Sequence, residues 1–402
     1  MRRATPGAGL LTVLLGAVGV GPLLLYGLSA TSEEIITDLG INEAQFGLLA
    51  TTCFACAALG NATLGRLADR HSDLGLMTAV FLMSTLALVL AGVPGGYLVL
   101  IIAAGLSGFA QSFPNGVTNR VLLERVPAQK RIGWVGIKQS GVQVSQLVAS
   151  LTFPLLALLI GWRGTALLAT LLPLGLLVLT WRTLRAVPLL HDTRVTPEET
   201  GPSPATAAAT LRPGHSAAVW ALAAFGCLNG IGVQATNVYL PLFAVRELDF
   251  SLVLGGATAA VAGVVGVTAR VGWARVMARG TSGPVLLLAL ALTALSGVVA
   301  FLSAQATGWA PLLWTAVVLH GASALGVSVV LMSVLLRSIP SASMASSSGV
   351  VTAGMFTGFA IGPLMMGIIV SSPGGFTVGW IAVGLVYVLC TVLAAVLIRR
   401  RR

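Results

Sequence analysis

Twelve apolar stretches, each near the roughly 20 residues that an α-helix needs to cross a lipid bilayer, constrain this chain more than any other feature. Six fill the first half, at residues 10–28, 44–64, 76–93, 97–121, 134–160 and 165–181. Six more follow at 218–243, 252–274, 285–302, 312–335, 345–370 and 378–398. A segment inside lipid must satisfy its own backbone hydrogen bonds, so stretches of this length predict helices. The expected fold is all-α and integral to a membrane, with twelve transmembrane helices in two pseudo-symmetric six-helix bundles. Composition agrees: 56% of the 402 residues are hydrophobic, 9% are charged and the mean hydropathy is +0.95. A water-soluble globule is excluded. The first run follows Arg2 and Arg3 without a small-residue cleavage site, so it reads as a retained helix.

A net charge of +11 would suit a nucleic-acid binder, but the basic residues are scattered between apolar runs and form no stripe. No nucleic-acid partner is expected. The charge reads as topology, because loops rich in Lys and Arg stay in the cytoplasm. Arg2, Arg3, Arg66, Arg70, Arg125, Lys130, Arg131, Arg182, Arg185, Arg194, Arg212, Arg275, Arg279, Arg337 and Arg399 to Arg402 fall on one side. The other side carries Arg163 and Arg246 among Glu33, Glu34, Asp38, Glu43, Glu247 and Asp249. Both termini are therefore expected in the cytoplasm, with the chain in the cytoplasmic (inner) cell membrane. Cys53, Cys56, Cys227 and Cys390 all lie within apolar runs, where small-helix packing is expected and a disulfide or metal pair is not.

Residues 186–216 are polar and carry Pro188, Pro197, Pro202, Pro204 and Pro213, the signature of a cytoplasmic linker between bundles at 1–185 and 217–402. The halves repeat. Arg66 and Arg70 map onto Arg275 and Arg279 at a shift of 209, which also carries Pro154 onto Pro363. Ala278 stands where the repeat of Asp69 would fall, so one half alone has the full charge cluster.

That cluster, Gly60-Asn61-Ala62-Thr63-Leu64-Gly65-Arg66-Leu67-Ala68-Asp69-Arg70, ends the second run with a glycine pair, a carboxylate and two guanidiniums. It resembles the loop 2-3 signature of the major facilitator superfamily, although His71-Ser72-Asp73 departs from that pattern's second half. The resemblance implies a secondary transporter of two rocking bundles with a site between them near the midplane. It gives gating roles to Gly65, Arg66, Asp69, Arg70, Arg275 and Arg279. Gly136-Ile137-Lys138-Gln139 looks like the Gly-x-Lys-Gln element of the nitrate/cyanate-type branch. Ala269-Arg270-x-Gly272 resembles the eighth helix of that branch, where such an arginine helps hold the anion. The branch adds a second arginine on helix 2, whereas run 44–64 has no cation. The fifth run lacks the Gly-Pro-rich element of proton-linked drug antiporters, while Gly354, Gly358, Gly362, Pro363 and Gly367 give the eleventh a small-residue seam suited to close packing.

Polar residues inside spans are costly in lipid and face a cavity or another helix, so they are candidates for a substrate path. Gln139, Gln143 and Gln146 recur at i, i+4, i+7 on the fifth run, and Gln111, Asn115 and Asn119 at i, i+4, i+8 on the fourth, each set on one face of a helix. Tyr26 on the first run and Asn229, Gln234, Asn237 and Tyr239 on the seventh join them. Interhelical hydrogen bonding is the competing reading for each amide. No Asp or Glu lies well inside a span, while Lys138, Arg270 and His320 do or nearly do. Lys138, about 7.5 Å from the expected cytoplasmic end of its helix, is expected to snorkel to water. Arg270 either faces the path or ties its helix to neighbours, and His320 is either a neutral hydrogen-bonded imidazole or a proton-exchanging one.

No phosphate-binding loop, metal-ligand cluster or nucleophile triad is present, so an enzyme is not expected, nor any cofactor or metal. The partners expected are a small-molecule substrate, the lipid bilayer and a coupling proton or counter-ion, for a monomeric chain. The first reading is uptake of a small organic solute, an anion because embedded cations lack embedded carboxylates. Export of a drug-like or secondary metabolite is the alternative within the class, and a transporter-like nutrient sensor the alternative outside it.

Overall fold

The computed structural model describes residues 7–63, 71–187, 216–338 and 341–399. Most of the linker and the candidate gating residues Gly65, Arg66, Asp69 and Arg70 lie outside them. Every regular element among the described residues is helical. The first half holds α1 (Ala8–Ala30), α2 (Ser32–Leu39), α3 (Glu43–Thr63), α4 (Asp73–Gly92), α5 (Gly96–Ser112), α6 (Pro114–Arg125), α7 (Ala128–Gln139), α8 (Gly141–Ala169) and α9 (Leu171–Ala186). The second holds α10 (Ala217–Leu248), α11 (Leu252–Ala278), α12 (Gly283–Thr307), α13 (Ala310–Ser323), α14 (Val327–Ser338), α15 (Ser341–Val370) and α16 (Gly375–Arg399). Eleven described stretches are long and apolar enough to span a membrane, and one of these, Gly133–Ala186, has 54 residues. Gly161 breaks it with φ 70° and ψ 164°, a conformation open to glycine, and makes two crossings of it.

Four runs read as single helices are broken, among them the sixth, at Thr170 between α8 and α9. Pro114 removes an N–H and crowds the preceding turn, so the fourth crossing stops at Ser112 and restarts as α6. The fifth breaks at Ser140, beside the place where α1 and α8 meet backbone to backbone: a Cβ on Gly19 would lie 2.7 Å from the Gly141 carbonyl oxygen. The tenth passes through a 3₁₀ turn, Ala324–Gly326, between α13 and α14. The short amphipathic α2, absent from the apolar runs, caps the face opposite the termini and ends on Gly40 at φ 59°.

The repeat is visible in contacts across the midline. Gly47 of α3 packs on the carbonyl of Pro363, and Gly256 of α11 packs on Pro154 and the carbonyl of Ser150. The two glycines, and likewise the two prolines, are related by the shift of 209. At the pseudo-axis a residue meets its own repeat: the Ser29 hydroxyl donates to the Val238 carbonyl at 2.7 Å and approaches that of Asn237 at 3.2 Å. Helices α3 with α15, α8 with α11 and α1 with α10 carry the packing between halves. Within the second half Gly354, Gly358 and Gly362 lie on the α10 backbone at Ala223, Cys227 and Ile231, so the small-residue seam is a close helix contact. Large apolar side chains such as Leu98, Leu159 and Leu385 stay exposed, as a lipid-facing surface requires.

Candidate functional site

The breaks concentrate polar chemistry. Where the tenth crossing leaves its α-helical ladder its carbonyls lose their partners, and inside lipid these must be satisfied by other groups. Trp273 Nε1 donates to Ala322 at 2.6 Å, Asn229 Nδ2 to Ala324 at 3.2 Å and Arg270 Nε to Leu325 at 2.9 Å. Arg270 thus ties its helix to the break through Nε, and no described group accepts from its two terminal nitrogens. Tyr26 of the other half is close enough for its phenol and that guanidinium to interact electrostatically.

His320 is buried one turn before the same break, and its Nε2 lies 3.2 Å from Asn237 Oδ1. The Asn237 carbonyl accepts from Ser29, so a polar chain joins α1, α10 and α13 across the midline.

The two amide stripes do not stay single faces, because each crosses a helix break. Gln111 Nε2 donates to Cys53 Sγ at 3.0 Å, Asn115 Oδ1 accepts from Gln139 Nε2 at 3.3 Å, and Asn119 Oδ1 accepts from Lys138 Nζ at 2.6 Å. Gln146 donates to the Ala259 carbonyl at 3.0 Å and ties α8 to α11 across the midline. Gln143 and Gln234 are buried with their Oε1 atoms unbonded. The expectation for Lys138 fails. Its helix starts at Ala128, ten residues earlier, and the side chain does not snorkel but is fully buried, with a second bond to Thr118 Oγ1 at 2.7 Å. Gly136 has open space where a Cβ would stand, so the glycine of that motif is not a packing glycine.

Arg275 and Arg279 are exposed at the end of α11. At the opposite face the sequence reading missed a cluster it had assigned to topology. Arg246 of α10 grips the first half through two carboxylates, Nε to Glu33 at 2.5 Å and Nη1 to Glu43. The Tyr239 hydroxyl adds a 2.5 Å bond to the Glu43 carbonyl. Two arginines among six acids on the less basic side were the available signal. Nearby, Arg163 and Trp162 hold Asp38 and so fix α2 to the Gly161 turn. Partial burial, then repulsion from Asp38, raises the Glu34 carboxyl above its ordinary value.

These features define a membrane protein of two six-helix bundles that meet at a pseudo-two-fold seam lined by buried amides and by a guanidinium that forms no ion pair among the described residues. A model of the Major Facilitator Superfamily matches residues 10–352, and the chain belongs to that superfamily. Over 152 residues it is 31% identical to a Haemophilus influenzae protein named for metabolite transport, which covers 37% of each chain. It is also 25% identical over 174 residues to the membrane sensor protein UhpC of Salmonella typhimurium, covering 42% of this chain and 39% of that one. The matches thus span about two fifths of these relatives' length. In fold it resembles a bacterial homologue of the human lysosomal transporter Spinster in an inward-facing state, with TM-score 0.77, 15% identity and coverage of 96% and 95%. It likewise resembles the nucleoside transporter NupG, with TM-score 0.72, 14% identity and coverage of 96% and 98%.

Proposed function

We propose that this protein is a secondary transporter of the cytoplasmic membrane, with residues 1–185 and 217–402 rocking about the seam and the linker and both termini in the cytoplasm. The contacts between halves gather toward the face of α2, which supports a conformation closed outside and accessible from the cytoplasm. Its cargo is a small organic anion with a single carboxylate-like group. The observation that carries this reading is Arg270, whose Nε is committed to Leu325 while its terminal nitrogens remain available beside Tyr26 of the other half. A planar fork of donors fits a carboxylate. Asn61, at the repeat position of Arg270, is uncharged and bonds the Ala57 carbonyl, so the seam offers one guanidinium there. The Gly136 to Gln139 element keeps a likeness to the nitrate/cyanate-type branch, but nitrate itself is disfavoured by that missing second cation. Gln111, Asn115, Gln139, Gln143, Gln234 and Asn237 supply the remaining polar contacts.

Counterflow in proteoliposomes tests the proposal, with lactate, benzoate, glucose, uridine and tetraphenylphosphonium as probes. Saturable exchange of a carboxylate that is lost in Arg270→Lys supports it. Exchange of the cation or uridine alone would leave transport standing and reject the anion. The likeness to a membrane sensor protein favours a second reading, and an absence of exchange for every probe would select it.

A further inference from the structure

We propose that Lys138 is a proton-binding site, its ε-amine taking up a proton as R–NH₂ + H⁺ → R–NH₃⁺ in one arrangement of the helices and releasing it in another. The proposal deepens the transport reading by naming the coupling ion, and rests on that reading only for what the proton drives.

Lys138 is a fully buried basic side chain whose hydrogen-bond partners among the described residues are both neutral, Thr118 Oγ1 at 2.7 Å and Asn119 Oδ1 at 2.6 Å. A buried charge is ordinarily paired with an opposite one. Among the described residues every ion pair is formed by an arginine. The elements packed on α7 are α1, α6 and α8. Their titratable groups are Tyr26, then Arg120, Glu124 and Arg125, then Arg163, with Lys130 and Arg131 on α7 itself. Arg120 pairs with Asp73, Arg125 bonds the Leu184 and Val187 carbonyls, and Arg131 bonds those of Leu123 and Val126. Glu124 belongs to the Asp73 and Arg120 group, Lys130 is exposed, and Tyr26 and Arg163 sit on the outer parts of their helices. Among the described residues Lys138 forms no ion pair.

Dehydrated without a counter-ion, an amine can serve in either protonation state, which a guanidinium cannot. The position is also a hinge. Lys138 lies two residues before the Ser140 break, and both its acceptors lie on α6, just beyond the Pro114 break. When these two short segments part, Nζ meets water and the ammonium is favoured. When they close, the amine is. Proton binding and helix arrangement are therefore linked. Ser347 occupies the repeat position in α15, so there is one such site per chain.

The proton is itself the probe. Spin labels at cysteines replacing the exposed Ala186 and Ala278, in a chain otherwise free of cysteine and held in lipid nanodiscs, report the separation of the halves without any solute. Between about pH 5 and pH 9 the population ratio of the two separations should change by at least tenfold. Lys138→Arg should hold the acidic-pH ratio at every pH, and Lys138→Gln the alkaline one. Asn119→Asp, which places a counter-charge against Nζ where the segments close, should let the ammonium stay buried and so hold the alkaline-pH ratio down to the lower pH. Opposite locking by two substitutions is not expected of a merely structural lysine. A flat response in the parent, or a parent-like response in Lys138→Gln, overturns the assignment; the latter would place the titration at the Arg246 cluster or His320. A proton response without counterflow of any probe would remove the transport reading and leave the proton site intact.

Discussion

Arg246→Gln should open the face of α2. In the parent this guanidinium holds Glu33 and Glu43 of the first half, and the three side chains are 28%, 34% and 16% exposed. They are too wet for the energies of buried pairs and too enclosed for those of free surface pairs. About 1 kcal/mol for each contact is a fair value after screening, so roughly 2 kcal/mol is lost with the clamp. An equilibrium biased by that amount moves about thirtyfold toward the state open at the α2 face. Ser29 is the reporter, since it is buried by its bond to the Val238 carbonyl across the seam. With Ser29→Cys in a chain lacking Cys53, Cys56, Cys227 and Cys390, an impermeant maleimide applied from that face should label Arg246→Gln about thirtyfold faster than the parent. Glu33→Gln with Glu43→Gln should reproduce the effect, and adding Arg246→Gln to that pair should change little. Raising salt should accelerate labelling of the parent and not of the variants. Equal labelling of parent and Arg246→Gln would refute the clamp as a barrier to opening.

Gly358→Ala should lose about 3 kcal/mol or more, seen as a collapse of monodisperse yield in detergent, because the new methyl would overlap the Cys227 carbonyl rather than a movable side chain. Gly136→Ala, whose Cβ meets open space inside α7, should be neutral or stabilising by up to about 1 kcal/mol in the same assay. Arg270→Lys should weaken binding of a carboxylate probe by about ten- to a hundredfold with folded yield retained, read by isothermal titration; unchanged affinity would make Arg270 structural alone. Glu34 has a raised folded-state pKa, so its stabilising contribution is full below the ordinary carboxylate range and is lost as pH rises through the folded value. Glu34→Gln should therefore melt higher than the parent near neutrality and alike in acid; a lower melting point near neutrality would contradict this sign.

Crossing number and the repeat were legible because lipid imposes a length on apolar helices and because Pro154 and Pro363 stand at one shift. Gly47 and Gly256 confirm that shift in three dimensions, each packed on the partner half. Helix breaks were harder to read. Pro114 is a visible breaker, but the turn at Ala324–Gly326 holds no proline, and what stabilises it is the set of donors Trp273, Asn229 and Arg270 on other helices. Periodicity along one run cannot show that. The same blindness misplaced the amide stripes, since an i, i+4 rule assumes a continuous helix and both stripes cross a break. Lys138 was misread through its helix start: with α7 beginning at Ala128 the ammonium is too deep to reach water along its own helix. Glu33, Glu43 and Arg246 were read as markers of sidedness, and their convergence depends on α2, too short for any search for spans.

The breaks themselves repeat, and the chemistry placed on them does not. At the shift of 209 the interruption at Ser112 to Pro114 maps onto Gly321 to Ser323, beside the start of the 3₁₀ turn in the tenth crossing. Around these matched joints the partners differ: Gln111 against His320, Asn61 against Arg270, and Lys138 against Ser347. In two of these three couples a cation in one half corresponds to a neutral residue in the other. A symmetric scaffold can exchange its two conformations by repeating the same joints in both halves, but a symmetric pair of cations would repel across the seam and bind cargo and proton alike. Separating them assigns the fork-shaped guanidinium of Arg270 to the second half and the amine of Lys138 to the first. If the two proposals hold, that division lets an anion and a proton bias the same rocking motion from different joints, and loss of either cation is then a selective defect rather than a general one.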